Sequence, residues 1–412
     1  MIKTLWTNKT VRKRFLYTLL LLILFQIGTR IPLPGLSMPL DLTKSDNTMY
    51  QLLNLSTGGA FSRFGLLALG VSPYIMASLL IQLLSDGVIK YLTFLRDQGE
   101  AGKTRLGQMT RYITLFFGFF MGLTLLNSSP LMFTQKENLL LTKCLIAVVL
   151  SVGGLFTEYL AERIHVKGIG NGPSLIIASG VMTQVPNIVK RLWQYSQSTN
   201  EPYLVGVIYA ALVVYLMGMV FVENIEYRIP LQSFQSAKTN SGHYLPLKLL
   251  MSSVAPVIFA TMFISLGGII FQALKLTDPQ WTKWVSLGSL RGSALYGLLI
   301  VLMSYVYNPI QIGPERLSQQ IQRSSMYIQN VPTPKTESYL STTITKITHL
   351  GGPILMFIAV LPVLLSKYYP GLSAISGTSF LILIAVANDF QKQIIGLASK
   401  ENYQELIRKE VA

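Results

Sequence analysis

One stretch constrains the fold of this chain more than any other. Residues 58 to 84, GGAFSRFGLLALGVSPYIMASLLIQLL, form an apolar run long enough to span a bilayer, yet the run is broken in its middle. Gly70 and Pro73 are the break. A proline inside a continuous helix removes a backbone hydrogen bond and clashes with the preceding turn. The run therefore reads as one short helix ending near Leu69 and another starting at Pro73. Irregular backbone at membrane depth is tolerated only where it is buried in protein or lines a water-filled cavity. Such a break points to a pore or a binding site inside the membrane.

Composition sets the class around that run. Half of the 412 residues are hydrophobic, 13% are charged and the mean hydropathy is +0.46, the values of an integral membrane protein rather than a soluble enzyme. Runs with few or no charges fall at 15 to 29, 64 to 85, 112 to 135, 144 to 157, 168 to 189, 202 to 222, 249 to 274, 292 to 314, 347 to 366 and 368 to 388. Most approach the roughly 20 residues that a helical span requires, so ten spans are expected. The first run follows Arg12, Lys13 and Arg14, and no small-residue cleavage pattern follows it, so it reads as a retained span rather than a signal peptide.

Alternating through ten spans from a cytoplasmic amino terminus leaves both termini in the cytoplasm and most of the 34 Lys and Arg residues on that side. This obeys the positive-inside rule. The net charge of +16 then either serves orientation alone or meets anionic lipid headgroups, acidic partner surfaces or RNA. Long polar connections at 86 to 111, 223 to 248 and 308 to 346 are all cytoplasmic in this topology. The last has prolines at 309, 314, 332 and 334 around a polar helical piece, and keeps Ile, Tyr and Val anchors. It reads as an ordered projection for a soluble partner rather than a disordered linker.

Catalytic chemistry finds no constellation here, and no cofactor or metal is expected. Cys144 is the single cysteine, and His165, His243 and His349 are far apart and outside any HExxH pattern. The GIGNG stretch at 168 to 172 invites a phosphate-cradle reading, but no strand precedes it and no P-loop lysine follows. A tight return of the chain into the membrane explains the glycines. A secondary transporter would need coupling carboxylates near the midplane, whereas Glu158, Asp86 and Asp389 lie at span ends. An intramembrane enzyme would need clustered His, Asp or Glu, which the scattered histidines do not supply. The chain is expected not to be an enzyme.

Ten spans divide into two sets of five, and the fifth and tenth begin alike, with KGIGNGPSLIIASG and GLSAISGTSFLILIA. An inverted repeat is expected, with an N-terminal half over 1 to 190 and a C-terminal half over 191 to 412. Further motifs occur in order: QIGTRIPLPG at 26 to 35, GEAGKTRLGQMTRY at 99 to 112, KGIGNGPSLII at 167 to 177, HYLPLKLLMSSVAPVIFA at 243 to 260, YNP at 307 to 309 and GTSFLI at 377 to 382. Together with the broken run they resemble the SecY family of bacterial protein-conducting channels over nearly the whole chain.

The resemblance implies an all-α membrane protein of ten helices in two inverted five-helix halves, opening across the membrane for secreted chains and sideways to lipid. Residues 58 to 68 would be a plug, with Gly58, Gly59, Phe61, Ser62 and Arg63 in it. Val71, Ile75, Ile177, Ile258 and Ile382 stand in positions similar to the family's constriction ring. Branched apolar side chains can close around a passing polypeptide without offering it hydrogen bonds, and can dewet when empty. Ordinary helix packing is the alternative reading of such residues. Arg63 is either water-exposed or snorkelling.

Departures from the family pattern gather at the gate and on the cytoplasmic loops. Leu250 stands where the family usually has a polar Asn at the lateral gate, opposite Gln82 on the second span. In the loops where the motor ATPase or the ribosome docks, Arg228 remains, with Arg316, Arg323 and Lys335 further along. SFQS at 233 to 236 replaces a more basic stretch, and NVPTP at 330 to 334 replaces an arginine-glycine pattern. Altered docking loops around a retained pore resemble the accessory SecY paralogue of Gram-positive bacteria. That resemblance implies serine-rich glycosylated adhesins as cargo, an accessory SecA-type ATPase as motor, and SecE-like and small accessory Sec subunits as partners. The housekeeping SecY channel is the alternative.

Overall fold

The computed structural model describes residues 9–33, 36–37, 65–85, 89–128, 132–133, 139–198, 202–233, 244–251, 254–273, 284, 289–368 and 377–411. The first part of the chain holds α1 (Lys9–Gly28), β1 (Leu36–Ser37), α2 (Ser72–Leu83), α3 (Lys90–Asp97), α4 (Glu100–Ser128), β2 (Met132–Phe133), α5 (Leu139–Lys167) and α6 (Gly172–Ser198). There follow α7 (Pro202–Glu223), β3 (Glu226–Ser233), β4 (Tyr244–Lys248), α8 (Ala255–Ala273), α9 (Leu290–Ile312), α10 (Pro314–Arg323), β5 (Met326–Ile328), a 3-10 turn (Thr333–Lys335), α11 (Thr336–Tyr368) and α12 (Gly377–Val411). Each of the ten apolar runs is carried by one of these helices, α3 and α10 being the two short polar ones left over. Among the described residues, five segments are long and apolar enough to cross a membrane: Glu100–Leu126, Leu140–Lys167, Leu290–Arg323, Thr333–Leu365 and Phe380–Leu397.

Several expected boundaries move. The run at 112 to 135 ends as strand β2, which pairs antiparallel with β1, Leu36 opposite Phe133. Polar residues 336–346, expected in a loop, wind directly from the 3-10 turn into α11. The connection at 86 to 111 is likewise mostly helix, α3 followed by the start of α4.

The chain divides into two compact units, Met1–Asn187 with Ala385–Ala412, and Ile188–Ile384. In the first, α4 and α5 approach closely because small residues face one another. A Cβ on Gly118 would lie 3.0 Å from the Ser151 Cα, and one on Gly122 would lie 3.2 Å from the Ala147 Cα. Backbone approach of this kind lets dispersion contacts replace the hydrophobic drive that lipid does not supply. Around the seam Leu33, Ala68, Leu69, Leu125, Leu126, Ile146 and Leu150 are buried together.

In the second unit, the Tyr215 hydroxyl donates to the Ile358 carbonyl at 2.6 Å, tying α7 to α11. Asn308 Nδ2 donates to Thr348 Oγ1 at 3.0 Å and joins α9 to α11. The Tyr305 hydroxyl and His349 Nδ1 make a second polar link between the same helices. The two connections expected as separate loops form one small sheet of order β4-β3-β5, antiparallel throughout. Ile229, Leu247, Ile321, Ile328, Leu340 and Ile347 form its buried core against α10 and the start of α11.

Candidate functional site

The broken span is built from the turn outward. Pro32 bridges to Gly65, and the Leu66 amide donates to the Ile31 carbonyl at 2.9 Å. Residues 66–71 then run as consecutive turns rather than the short helix expected before the break, with Ala68 donating to Gly65, Gly70 to Leu67 and Ser72 to Leu69. Gly70 has φ +54°, a left-handed conformation that costs a residue with a side chain about 1–2 kcal/mol. The half-helix α2 starts at Ser72 with Pro73 in its first turn, where a missing amide hydrogen does no harm. Leu67, Ala68, Leu69 and Val71 are each at most 1% exposed, so the irregular backbone is buried in protein. Gly153 on α5 makes room for it, since a Cβ there would sit 2.3 Å from the Leu66 carbonyl oxygen. Gly58, Gly59, Phe61, Ser62 and Arg63 lie outside the described residues.

The five ring candidates share a place in their helices. Val71 caps α2, and Ile75 follows one turn later, its amide donating to the Val71 carbonyl at 3.0 Å. Ile177 is in the second turn of α6, Ile258 in the first of α8 and Ile382 in the second of α12. Ile177, Ile258 and Ile382 are buried, and Ile75 is half-buried. Val71, Ile75 and Ile177 belong to the first unit, Ile258 and Ile382 to the second. Gln82 is half-buried near the end of α2. Leu250 lies in a bend ahead of α8 rather than within it, 5% exposed, with its Cδ2 3.8 Å from where a Gly351 Cβ would be.

All four docking candidates sit on the small sheet domain and are exposed. The Arg228 guanidinium stacks 4.8 Å above the Tyr244 ring. Arg316 and Arg323 are seven residues apart on α10, two turns along one stripe, while Ser318 and Ile321 face the core. Lys335 ends the 3-10 turn, and Asn330 takes a left-handed φ of +63° in the NVPTP stretch.

Glu158 was expected at a span end in a simple interfacial setting, but its side chain is only 7% exposed and its Oε2 has no hydrogen-bond partner. Arg111 on α4 lies 3.8 Å from its other oxygen and pairs with Glu162 at 2.6 Å. The signal was readable as two carboxylates four residues apart on α5, but their cation is 47 or more positions away.

The family model for SecY matches residues 65–391. The chain belongs to the SecY family. Among curated SecY proteins it is 33% identical to the protein translocase subunit SecY of Streptococcus sanguinis, over 98% of this chain and 97% of that one. It is 32% identical to SecY 1 of Lactobacillus kefiranofaciens over 99% of both, and 31% identical to SecY of Bacillus subtilis over 96% of both. Solved structures share the fold at lower identity. One protein-conducting channel superposes with a TM-score of 0.69 at 18% identity, over 93% of this chain and 92% of that one. A SecY whose plug domain stabilises the closed state of its translocation channel gives 0.67 at 17% identity, with the same coverage. The SecY fold accounts for ten helices arising from a chain whose second span is broken.

Proposed function

We propose that this chain is the membrane-spanning channel subunit of a protein translocase, passing unfolded secretory polypeptides across the cell membrane and contacting lipid at a lateral opening. The observation that carries the reading is the buried run of turns at 66–71 opening into a half-helix capped by Val71, in a chain of the SecY family. A broken span of this kind supports a pathway and not a plain helical anchor. Val71, Ile75, Ile177, Ile258 and Ile382 form the apolar constriction, residues 58 to 68 the plug, and Gln82 with Leu250 the lateral gate. Halves meeting near residue 190 follow from the inverted repeat.

On the cytoplasmic side, Arg228, Arg316, Arg323 and Lys335 present cations to an acidic surface of a motor ATPase. The altered SFQS and NVPTP loops favour an accessory paralogue with its own SecA-type motor, SecE-like and small accessory Sec subunits, and serine-rich glycosylated adhesins as cargo. Both termini are cytoplasmic in this reading, and ribosome docking is disfavoured by the same loops.

The test is crosslinking from cysteine at Ile382, in a Cys144→Ser background, to a secretory chain arrested by a folded carboxy-terminal domain. A crosslink that requires ATP and one motor, and is absent from a lipid-facing control at Phe120, supports the channel and identifies the motor. No crosslink with either the housekeeping or the accessory motor returns the chain to the transporter class.

A further inference from the structure

The turn at 168–171 uses its backbone donors on two helices that are remote in sequence. The Ile169 amide donates to Thr18 Oγ1 on α1 at 2.9 Å, and the Gly170 amide donates to Gln393 Oε1 on α12 at 2.6 Å. Thr18 in turn donates to the Arg14 carbonyl at 2.9 Å, so its oxygen is held ready as an acceptor. These two donors are spent on the protein itself and are not available to cradle a phosphate.

Apolar contacts lock the same turn. Ile169 is 1% exposed and is buried with Val11 of α1 and Ile394 of α12, with Phe15, Phe390 and Leu397 packed around them. The Phe15 and Phe390 rings are 6.2 Å apart. Gly170 has φ +98°, which only glycine adopts readily, and a Cβ on Gly172 would sit 1.9 Å from the Ala161 carbonyl oxygen of α5. The turn is thus bracketed by α1, α12 and α5. It leads straight into α6, whose first bond runs from the Leu175 amide to the Asn171 carbonyl at 2.9 Å.

We propose that Thr18 and Gln393 are positioning residues. By holding the Ile169 and Gly170 amides from opposite helices, they set the depth and rotation at which α6 begins, and so the place of Ile177 two turns later. The consequence for Ile177 rests on the channel reading above; the clamp itself does not. Gln393 is exposed while the amide it accepts is buried, so its role is the acceptor and not core volume. Loss of that acceptor strands a buried donor.

The experiment compares wild type, Gln393→Leu, Gln393→Glu and Thr18→Val as full-length protein in lipid nanodiscs and bilayers. Amide exchange of the Ile169 and Gly170 peptide reads the clamp, and resting ion conductance reads the pore. Gln393→Leu and Thr18→Val are expected to speed that exchange about tenfold and to raise resting conductance, while Gln393→Glu, which keeps an oxygen acceptor, stays near wild type. Unchanged exchange in both Gln393→Leu and Thr18→Val overturns the clamp whatever the channel does. Faster exchange with unchanged conductance overturns the link to Ile177. Equal defects in Gln393→Leu and Gln393→Glu assign the effect to packing and also overturn the proposal. A wild-type protein that carries no polypeptide overturns the channel reading alone, with exchange still deciding the clamp.

Discussion

Lys248 Nζ lies 3.4 Å from Glu223 Oε1, with only 21% and 4% of the two side chains exposed. The pair joins the last residue of α7 to the last residue of β4, at the neck where the chain leaves the membrane helices and returns to them. Removing one partner of a buried pair leaves the other charge desolvated, at about 3–5 kcal/mol for full burial. Partial exposure of Lys248 lowers this, so Lys248→Met is expected to cost about 2 kcal/mol. Adding Glu223→Gln should recover most of that loss. Denaturant unfolding of the single and double variants checks the coupling, and strictly additive losses would refute it.

Arg111 stands between Glu158 and Glu162, and the two contacts are not equal. Glu162 is half-exposed, so its pairing contributes at most about 1 kcal/mol. Glu158 is buried and already has one unpartnered oxygen. Arg111 is itself half-exposed and 3.8 Å from Glu158, so Arg111→Leu is expected to destabilise by about 1–2 kcal/mol, chiefly through the stranded Glu158 carboxylate. Glu158→Gln in the Arg111→Leu background should restore most of the stability in a thermal melt, and Glu162→Gln should not.

Gly65 is where the broken span is seated, since a Cβ there would lie 2.1 Å from the Thr29 carbonyl oxygen. A backbone atom cannot yield as a flexible side chain can, so Gly65→Ala must shift the turns that follow. On the channel reading both Gly65→Ala and deletion of residues 58 to 68 raise resting ion conductance in planar bilayers. Wild-type conductance in both variants would remove the plug from the reading.

The break was legible in the sequence because glycine and proline act locally: Gly70 has the positive φ and Pro73 sits in the first turn of α2. The ten helices were legible because apolar runs of span length have few alternatives in lipid. What stayed hidden depends on partners far along the chain. Tyr327 and Gln232 are hydrogen-bonded across 95 positions, so nothing near either residue announced that two loops share one sheet. The glycines at 168 to 172 announced a tight turn, but Thr18 and Gln393, at separations of 151 and 223, were invisible as its acceptors. The helix over 336–346 escapes the sequence pattern for a different reason. Polar helix continuing beyond the membrane carries no apolar signal.

Arg316 and Arg323 project from one stripe of α10 while its other side is anchored by Ile321. Reversing exposed charges on a solvated helix face changes stability by only about 0.5 kcal/mol. The Arg316→Glu, Arg323→Glu double variant is therefore expected to melt like wild type and to lose motor-dependent translocation. The loss should be greatest at low salt, where attraction in the wild type and repulsion in the variant are least screened, and should shrink as salt rises. Unchanged translocation across the salt range would remove α10 from the docking surface.

Leu250 tests the gate and the packing in a single position. It is 5% exposed, in the bend before α8, against Gly351 of α11. Asparagine matches leucine in shape but brings an amide that costs about 1–3 kcal/mol when buried without partners, so Leu250→Asn should lower the unfolding midpoint in detergent. On the channel reading a second effect follows. Opening a gate that exposes Leu250 to water forfeits its apolar burial, about 1.5–3 kcal/mol, and asparagine removes that opposition. Passing segments should then open the gate with about one fewer strongly apolar residue, as read from a series of signal sequences of graded hydrophobicity. A lower midpoint with an unchanged threshold would make Leu250 a packing residue alone and move the gate elsewhere. Resting conductance distinguishes the gate from general loosening, because loosening raises it and a relieved gate does not.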